Sequence, residues 1–157
     1  MNQPAKYTIV ASHGRAGSSL LYRTILQARN QVFVPPQDRK FVRSISDLPV
    51  GVAMVLKTHD YPENIKAPER ARVVFCFGDV VDAMKSLLRI GESEGEPFLK
   101  AHFHHLAGRG SPFEFVSSDV FRTEDQFKAW TSTTHVETLC VRYEACLLYT
   151  SPSPRDA

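Results

Sequence analysis

The sequence predicts an α/β protein with a parallel sheet that is covered by helices. Short β-branched runs alternate with segments whose apolar residues recur at helical spacing, and turn residues stand between the two kinds of segment. The chain has 157 residues, which is enough for one domain with a buried core. Ligands of such sheets bind at the carboxyl ends of the strands. We therefore expect functional side chains directly after each strand.

The first strand and helix are the clearest elements. The run YTIVAS, from Tyr7 to Ser12, is β-branched and predicts a buried strand, and HGRAG after it predicts a turn. Ser18 opens a segment that continues to Arg29 with apolar residues at helical spacing. Prolines 35 and 36 then interrupt any regular structure.

The remaining elements follow the same alternation. Strands are predicted at 52–58, 73–77 and 138–143, where apolar and β-branched residues dominate. Helices are predicted from Asp79 to Gly91, over 98–106 and over 123–130, with Asp79 as the cap of its helix and Trp130 as an anchor to the core. The polar segment GESEGEP between the first two of these helices predicts an exposed loop.

Composition and charge exclude several functional classes. The formal net charge is only +2, which argues against a surface for nucleic acid or for membranes. No secretory signal and no apolar run of about 18 residues is present, so we expect a cytoplasmic protein without a membrane span. The chain has three cysteines without CxxC spacing, and Cys76 and Cys140 stand in apolar runs that predict burial.

The turn HGRAGSS after the first strand is a candidate anion site. Gly14 and Gly17 allow the backbone amides to converge, and the following helix supplies unpaired N–H groups at its start. Ser18 and Ser19 add hydroxyl donors, and Arg15 adds a planar fork for oxyanions. The GK[ST] ending of a Walker loop is absent. An ordinary strand-to-helix turn remains the alternative at this point.

The second candidate site is LKTHDYP, after the next predicted strand. Lys57 and His59 are two residues apart and face the same side of an extended segment. A histidine can take a proton from a hydroxyl group near neutral pH, and an ammonium group can stabilise a transferring oxyanion. A solvated lysine beside a capping histidine is the alternative.

The helix after VVFCF carries the third candidate, Ser86, with Lys85 and Arg89 beside it. The cluster HFHH contains His102 and His105 on one helical face, but no cysteine or carboxylate completes a ligand set. We therefore expect no metal.

Together these motifs, in this order, resemble the sulfotransferase family over about Tyr7 to Glu144. GRAGSS is similar to the family's 5′-phosphosulfate loop, LKTH to its Lys-Thr-His segment, and VVFCFGDVVDAMKS to its 3′-phosphate strand and helix. RYEA, at 142–145, looks like the start of its aromatic-Glu-Asp segment. The resemblance implies a P-loop nucleotide-kinase-like, three-layer architecture, incomplete at the C-terminus, with 1–145 as the N-terminal part of the domain.

The resemblance also implies roles and ligands. The co-substrate is 3′-phosphoadenosine-5′-phosphosulfate (PAPS), and the acceptor is a hydroxyl or amine of a small molecule or carbohydrate. His59 would be the base, with Lys57 and Arg15 stabilising the transferred group. The following residues would bind PAPS: Arg15, Ala16, Gly17, Ser18, Ser19 and Ser86. A degenerate nucleotide-binding module and an ATP-using P-loop kinase remain alternatives.

One position departs from the family pattern. The family has an arginine at the end of the third predicted strand, where it binds the 3′-phosphate, and here that position is Gly78. Lys85 or Arg89 could replace it. This departure supports the degenerate module as the alternative without activity.

The last segment, 146–157, is rich in Ser and Pro and has no periodicity, and a natural proline-rich linker is one interpretation of it. From Cys146 through Asp156 it matches, residue for residue, one translated frame of a common transposase sequencing adapter. We expect this segment to be an unstructured artefact and the native sequence to follow a different course after Ala145.

Overall fold

The computed structural model of the protein describes residues 7–30, 39–42, 54–64, 71–106, 108–111, 114 and 117–145. The adapter-like segment 146–157 and the proline pair at 35–36 lie outside these residues. The strands are β1 (Tyr7–Ser12), β2 (Arg39–Val42), β3 (Met54–Thr58), β4 (Ala71–Phe77) and β5 (Glu137–Arg142). The helices are α1 (Ser18–Asn30), α2 (Val80–Glu94), α3 (Glu96–His105) and α4 (Thr123–Ser132).

The five described strands form one sheet in the order β2-β3-β1-β4-β5, and every neighbouring pair is parallel. β1 lies in the middle, where Ile9 is in register with Leu56 of β3 and with Val73 of β4. The predicted α/β class with a parallel sheet is therefore confirmed. Because all strands point the same way, the segments after β1, β3 and β4 meet at one edge of the sheet.

One face of the sheet packs against α4 through Trp130. Its indole ring is buried and stacks on Phe75 with 5.9 Å between ring centroids, and its Nε1–H donates to the carbonyl of Asp60 at 3.1 Å. This polar partner removes the main cost of burying the ring. Trp130 is therefore the core anchor that its helical position predicts. The core on this face consists of Tyr7, Ile9, Ala11, Leu56, Ala71, Val73, Phe75, Trp130 and Val136.

Alternation along β1 turns Val10 and Thr8 to the other face, which α1 covers. Arg29 in the last turn of α1 donates to the hydroxyl of Thr8 at 2.8 Å, and Leu26 of the same helix is buried. Both ends of α1 are thus attached to β1. Its first turn follows directly from the loop that leaves β1, and its last turn bonds to Thr8 near the start of that strand.

A smaller apolar cluster joins α2, α3 and the segment before α4. It consists of Leu87, Phe103, Leu106, Val120 and Phe121. It holds α3 beside the edge of the sheet where the strands end. None of the described helices is long and apolar enough to cross a membrane.

Four expectations from the sequence were incomplete or wrong. β2 was not predicted. α2 was expected to end at Gly91 but continues to Glu94, and only Gly95 separates it from α3, so most of the predicted GESEGEP loop is helical. A Cβ at position 91 would lie only 2.8 Å from the side chain of Leu99. The close packing of α2 on α3 therefore favours a glycine there, despite its low helix propensity. Cys76 is buried as predicted, whereas Cys140 on β5 is exposed.

Candidate anion and nucleotide site

A cavity of about 370 Å³ lies where β1, β3 and β4 end. All eight residues proposed as site residues from the sequence line it: Arg15, Ala16, Gly17, Ser18, Ser19, Lys57, His59 and Ser86. It is completed by Gly78, Asp79, Asp82, Ala83, His102, Tyr143 and Glu144. Parallel strands thus bring together three motifs that are far apart in the sequence.

The loop between β1 and α1 has a backbone suited to anions. Gly14, Arg15 and Gly17 all have positive φ, at 86°, 53° and 72°. Left-handed residues in a short loop can turn successive N–H groups towards one concave side, as in an anion-binding nest. The amides of Leu20 and Leu21 in the first turn of α1 donate to the Gly17 carbonyl at 3.0 Å and 3.1 Å, and the amides of Ser18 and Ser19 come before them, where a helix has no earlier carbonyl of its own to offer. Left-handed backbone is unusual for an arginine and is typical of functional loops.

Close packing also requires the two glycines. A Cβ on Gly17 would stand 1.9 Å from the Tyr143 ring, and a Cβ on Gly14 would stand 2.9 Å from Nε2 of His102. Tyr143 and His102 therefore lie directly against the loop. Neither side chain could approach so closely if the loop carried larger residues.

Arg15 crosses the cavity to α2. Its Nε and one terminal nitrogen donate to the Ser86 hydroxyl at 3.1 Å and 2.9 Å. The guanidinium group is exposed, so its remaining donors can still reach an oxyanion. The structure joins the loop arginine to the serine that sequence analysis placed in a separate motif.

Lys57 brings a second cation to the start of α1. Its ammonium group donates to the Ser19 hydroxyl at 2.8 Å. Burial lowers the pKa of Lys57 below its ordinary value, and the charges of Arg15 and Arg23 lower it further. Lys57 and the two arginines repel each other, and an anion bound between Arg15 and Lys57, which both line the cavity, would relieve part of that repulsion.

His59 is held in one orientation below the loop. The residue is 6% exposed, and its Nδ1 lies 2.8 Å from the Ser12 carbonyl oxygen. Because a carbonyl only accepts, Nδ1 carries the hydrogen of the neutral ring and Nε2 carries the lone pair. The His59 main-chain carbonyl accepts a hydrogen bond from the buried Gln126 amide, which fixes the segment after β3. The Nδ1 contact thus orients the ring, and the Gln126 contact fixes the backbone that carries it.

His102 is a site residue that sequence reasoning missed. It was considered only as a metal ligand with His105, yet it lines the cavity from α3, and its ring meets that of His59 edge to face at 5.7 Å between centroids. Phe98 stacks on its other side. Only the packing of α3 against the edge of the sheet places it there, so no local signal could identify it.

The wall beside β4 is acidic. The Glu144 carboxylate accepts from the Asp79 amide at 2.7 Å, and this bond, together with Arg142, holds the pKa of Glu144 below its ordinary value. A Cβ on Gly78 would stand 3.0 Å from Glu144 Oε1. The carboxylate of Glu144 therefore lies beside the position where the sulfotransferase pattern has an arginine.

The two basic residues considered as replacements lie elsewhere. Neither Lys85 nor Arg89 lines the cavity, and the Lys85 ammonium group stands 3.5 Å from Asp82. Asp79 caps α2 as predicted, accepting from the amide of Asp82 at 3.0 Å. Within the described ranges, no group of three or more His, Cys, Asp or Glu residues is arranged to hold a metal ion.

No protein-family model matches the chain, and no curated protein matches its sequence.

Proposed function

We propose that the protein transfers a sulfonate group from PAPS to a hydroxyl or amine of a small molecule or carbohydrate, within a P-loop-like three-layer fold. One observation supports the proposal: a glycine-containing loop with left-handed residues, two cations and an oriented histidine line the same cavity. Fixed donors around a transferred oxyanion are usually the largest catalytic contribution.

The residues divide the reaction between them. Nε2 of His59 takes the proton of the acceptor hydroxyl as its oxygen forms a bond to sulfur. The bond from sulfur to the bridging phosphate oxygen breaks, and 3′-phosphoadenosine-5′-phosphate leaves with that oxygen. Lys57 and Arg15 stabilise the charge on the sulfonate and bridging oxygens, together with the loop amides.

The 3′-phosphate needs donors that Gly78 does not provide. Ser86 is the residue that we assign to this group, and the two hydrogen bonds from Arg15 hold its hydroxyl at the wall of the cavity. Arg15 itself stays with the sulfonate and bridging oxygens, so the 3′-phosphate has one side-chain donor here instead of two.

Calorimetric titration with 3′-phosphoadenosine-5′-phosphate tests the nucleotide site directly. We expect this ligand to bind at least tenfold more tightly than ADP, and Arg15→Ala to weaken it by about tenfold to a hundredfold through lost charge-assisted hydrogen bonds. Arg89→Ala is the matched control, because that arginine is exposed and outside the cavity. Equal affinity for both nucleotides, or equal effects of both variants, would contradict the proposal.

A nucleotide-binding module without turnover is the second candidate. The observation that favours it is the acidic wall, where Glu144 lies beside Gly78 and would repel a 3′-phosphate. This candidate predicts nucleotide binding without product formation from PAPS and any hydroxyl or amine acceptor. An ATP-using kinase would instead require Mg²⁺ for turnover, so activity with and without the ion separates it from sulfonate transfer.

A further inference from the structure

A buried thiol lies directly beneath the loop between β1 and α1. Cys76, near the end of β4, is only 1% exposed, and it is in register with Ser12, the last residue of β1. Because side chains alternate along both strands, Cys76 points to the same face of the sheet as Ser12 and Val10, which is the face that α1 covers. The thiol is therefore on the side of the sheet to which the loop leads.

The thiol of Cys76 contacts the loop backbone. It donates to the main-chain carbonyl of Ala16, with 2.7 Å between sulfur and oxygen. Ala16 is only 2% exposed, so this contact is buried on both sides. A thiol is a weak donor, and the contact therefore matters more for the direction of the Ala16 carbonyl than for the free energy of folding.

The direction of this carbonyl fixes the direction of the next amide. The peptide between Ala16 and Gly17 is trans, so its C=O and its N–H point to opposite sides. Because the carbonyl points to Cys76, the N–H of Gly17 points away from β4. Gly17 lines the cavity, and its amide donates to no protein acceptor within the part of the chain that the structure describes. It is a donor that an anion in the cavity can use.

Other contacts fix the neighbouring parts of the loop. The Gly17 carbonyl accepts from two amides in the first turn of α1, and the Tyr143 ring would stand 1.9 Å from a Cβ on Gly17. These contacts act on the helix start and on the Cα of Gly17. The thiol of Cys76 acts on the peptide between Ala16 and Gly17 itself.

We propose that Cys76 is a positioning residue of the anion loop, whose thiol holds the Ala16–Gly17 peptide so that the N–H of Gly17 donates to an oxyanion in the cavity. The inference rests on the anion site of the proposed function. It needs neither PAPS nor turnover, because any tetrahedral oxyanion would receive the same hydrogen bond. Sequence analysis assigned Cys76 to the core alone.

Inorganic sulfate is the probe for this amide. In amide-detected NMR spectra of the isotope-labelled full chain, we expect added sulfate to shift the signal of the Gly17 amide at least as much as those of Ser18 and Ser19. The same titration gives the affinity for sulfate. A Gly17 signal that stays in place while its neighbours shift would overturn the proposal, as would the absence of sulfate binding at millimolar concentration.

Two substitutions separate the hydrogen bond from the volume of the side chain. Cys76→Val fills a similar space without a donor and should weaken sulfate binding about threefold to tenfold, with a smaller shift of the Gly17 amide. Cys76→Ser keeps a donor within reach of the Ala16 carbonyl and should restore both properties. Cys140→Val is the matched control, because that cysteine is exposed on the neighbouring strand. A structural role alone would change stability without changing the Gly17 signal.

The outcomes separate this inference from the proposed function. If sulfate shifts the Gly17 amide as expected but 3′-phosphoadenosine-5′-phosphate binds no better than ADP, the role of Cys76 stands and sulfonate transfer fails. If the nucleotide binds as proposed and Cys76→Val leaves sulfate affinity and the Gly17 shift unchanged, the role of Cys76 is overturned. Circular dichroism checks that each variant folds. Should Cys76→Val not fold, the Gly17 shift in the original protein and the affinity of Cys76→Ser decide the question.

Discussion

At the scale of single residues, the proposed chemistry depends on one nitrogen atom, Nε2 of His59. The Ser12 carbonyl fixes the hydrogen on Nδ1, so the opposite nitrogen is basic without any rotation of the ring. The same contact also ties the proposed base to Ser12, the last residue of β1, after which the proposed anion loop begins. The base and the loop of the proposal are therefore attached to the same strand.

Replacing His59 should separate turnover from binding. We expect His59→Asn to lower the rate of sulfonate transfer by about 10²- to 10⁴-fold, because no base is left for the acceptor proton. The affinity for 3′-phosphoadenosine-5′-phosphate should stay within about threefold, because the loop and its cations are unchanged. Single-turnover assays and calorimetry measure the two quantities. Loss of both together would show that His59 acts on nucleotide binding or on folding instead.

Lys57 is a residue at which stability and the proposed function oppose each other. Burial and two neighbouring arginines disfavour its charge, as its lowered pKa indicates. Lys57→Met should therefore increase the free energy of unfolding by up to about 1 kcal/mol while weakening nucleotide binding about tenfold or more. Lys100→Met is the control, because that lysine is exposed and pairs only with Glu96 on its own helix. Urea unfolding and calorimetry provide the measurements, and a less stable Lys57→Met protein would contradict this account.

At the scale of secondary structure, local pattern was sufficient where one face of an element is buried and its ends carry strong turn or capping residues. β1 and α1 meet both conditions, and they were predicted to within one residue. β2 was missed because its four residues are too short for a periodic signal. Gly91 appeared to end α2, but close contact with Leu99 gives it a packing role that only tertiary structure reveals.

The cap of α2 can be tested without disturbing the core. Asp79→Ala removes the acceptor for the Asp82 amide and should lower the free energy of unfolding by about 1 kcal/mol. Asp79→Asn keeps an acceptor oxygen and should change it by only a few tenths of a kcal/mol. Urea unfolding followed by circular dichroism measures the difference. Equal losses in both variants would mean that the charge matters, through the dipole of the helix, more than the hydrogen bond.

At the scale of the whole molecule, the sheet explains why much of the first cavity was predictable. Most of the predicted residues lie in the segments that follow three of the strands. Parallel strands all end at the same edge of the sheet, so these segments lie at one edge whichever strands are neighbours. His102, by contrast, reaches the cavity only because a small cluster between α2 and α4 holds α3 against the same edge. A second cavity, of about 590 Å³ on the α4 side of the sheet, depends in the same way on how α4 packs, so sequence pattern gives no sign of it.

His13 is buried directly after β1, the central strand of the sheet. A buried histidine at this place should make the stability of the whole protein dependent on pH. Burial lowers the pKa of His13 below its ordinary value of about 6.5, so the unfolded chain takes up this proton first as pH falls. The free energy of unfolding should therefore be unaffected by His13 above about pH 7 and should decrease from about pH 6.5 down to the folded pKa, by at most about 1.4 kcal/mol per pH unit.

His13→Gln removes the titrating group, so it should lose less stability than the original protein between pH 7.5 and pH 5.5 in urea unfolding. NMR titration of the His13 ring protons supplies an independent measurement. Parallel losses in the two proteins would show that the ring takes up its proton as readily folded as unfolded, and that the space around it is open to water.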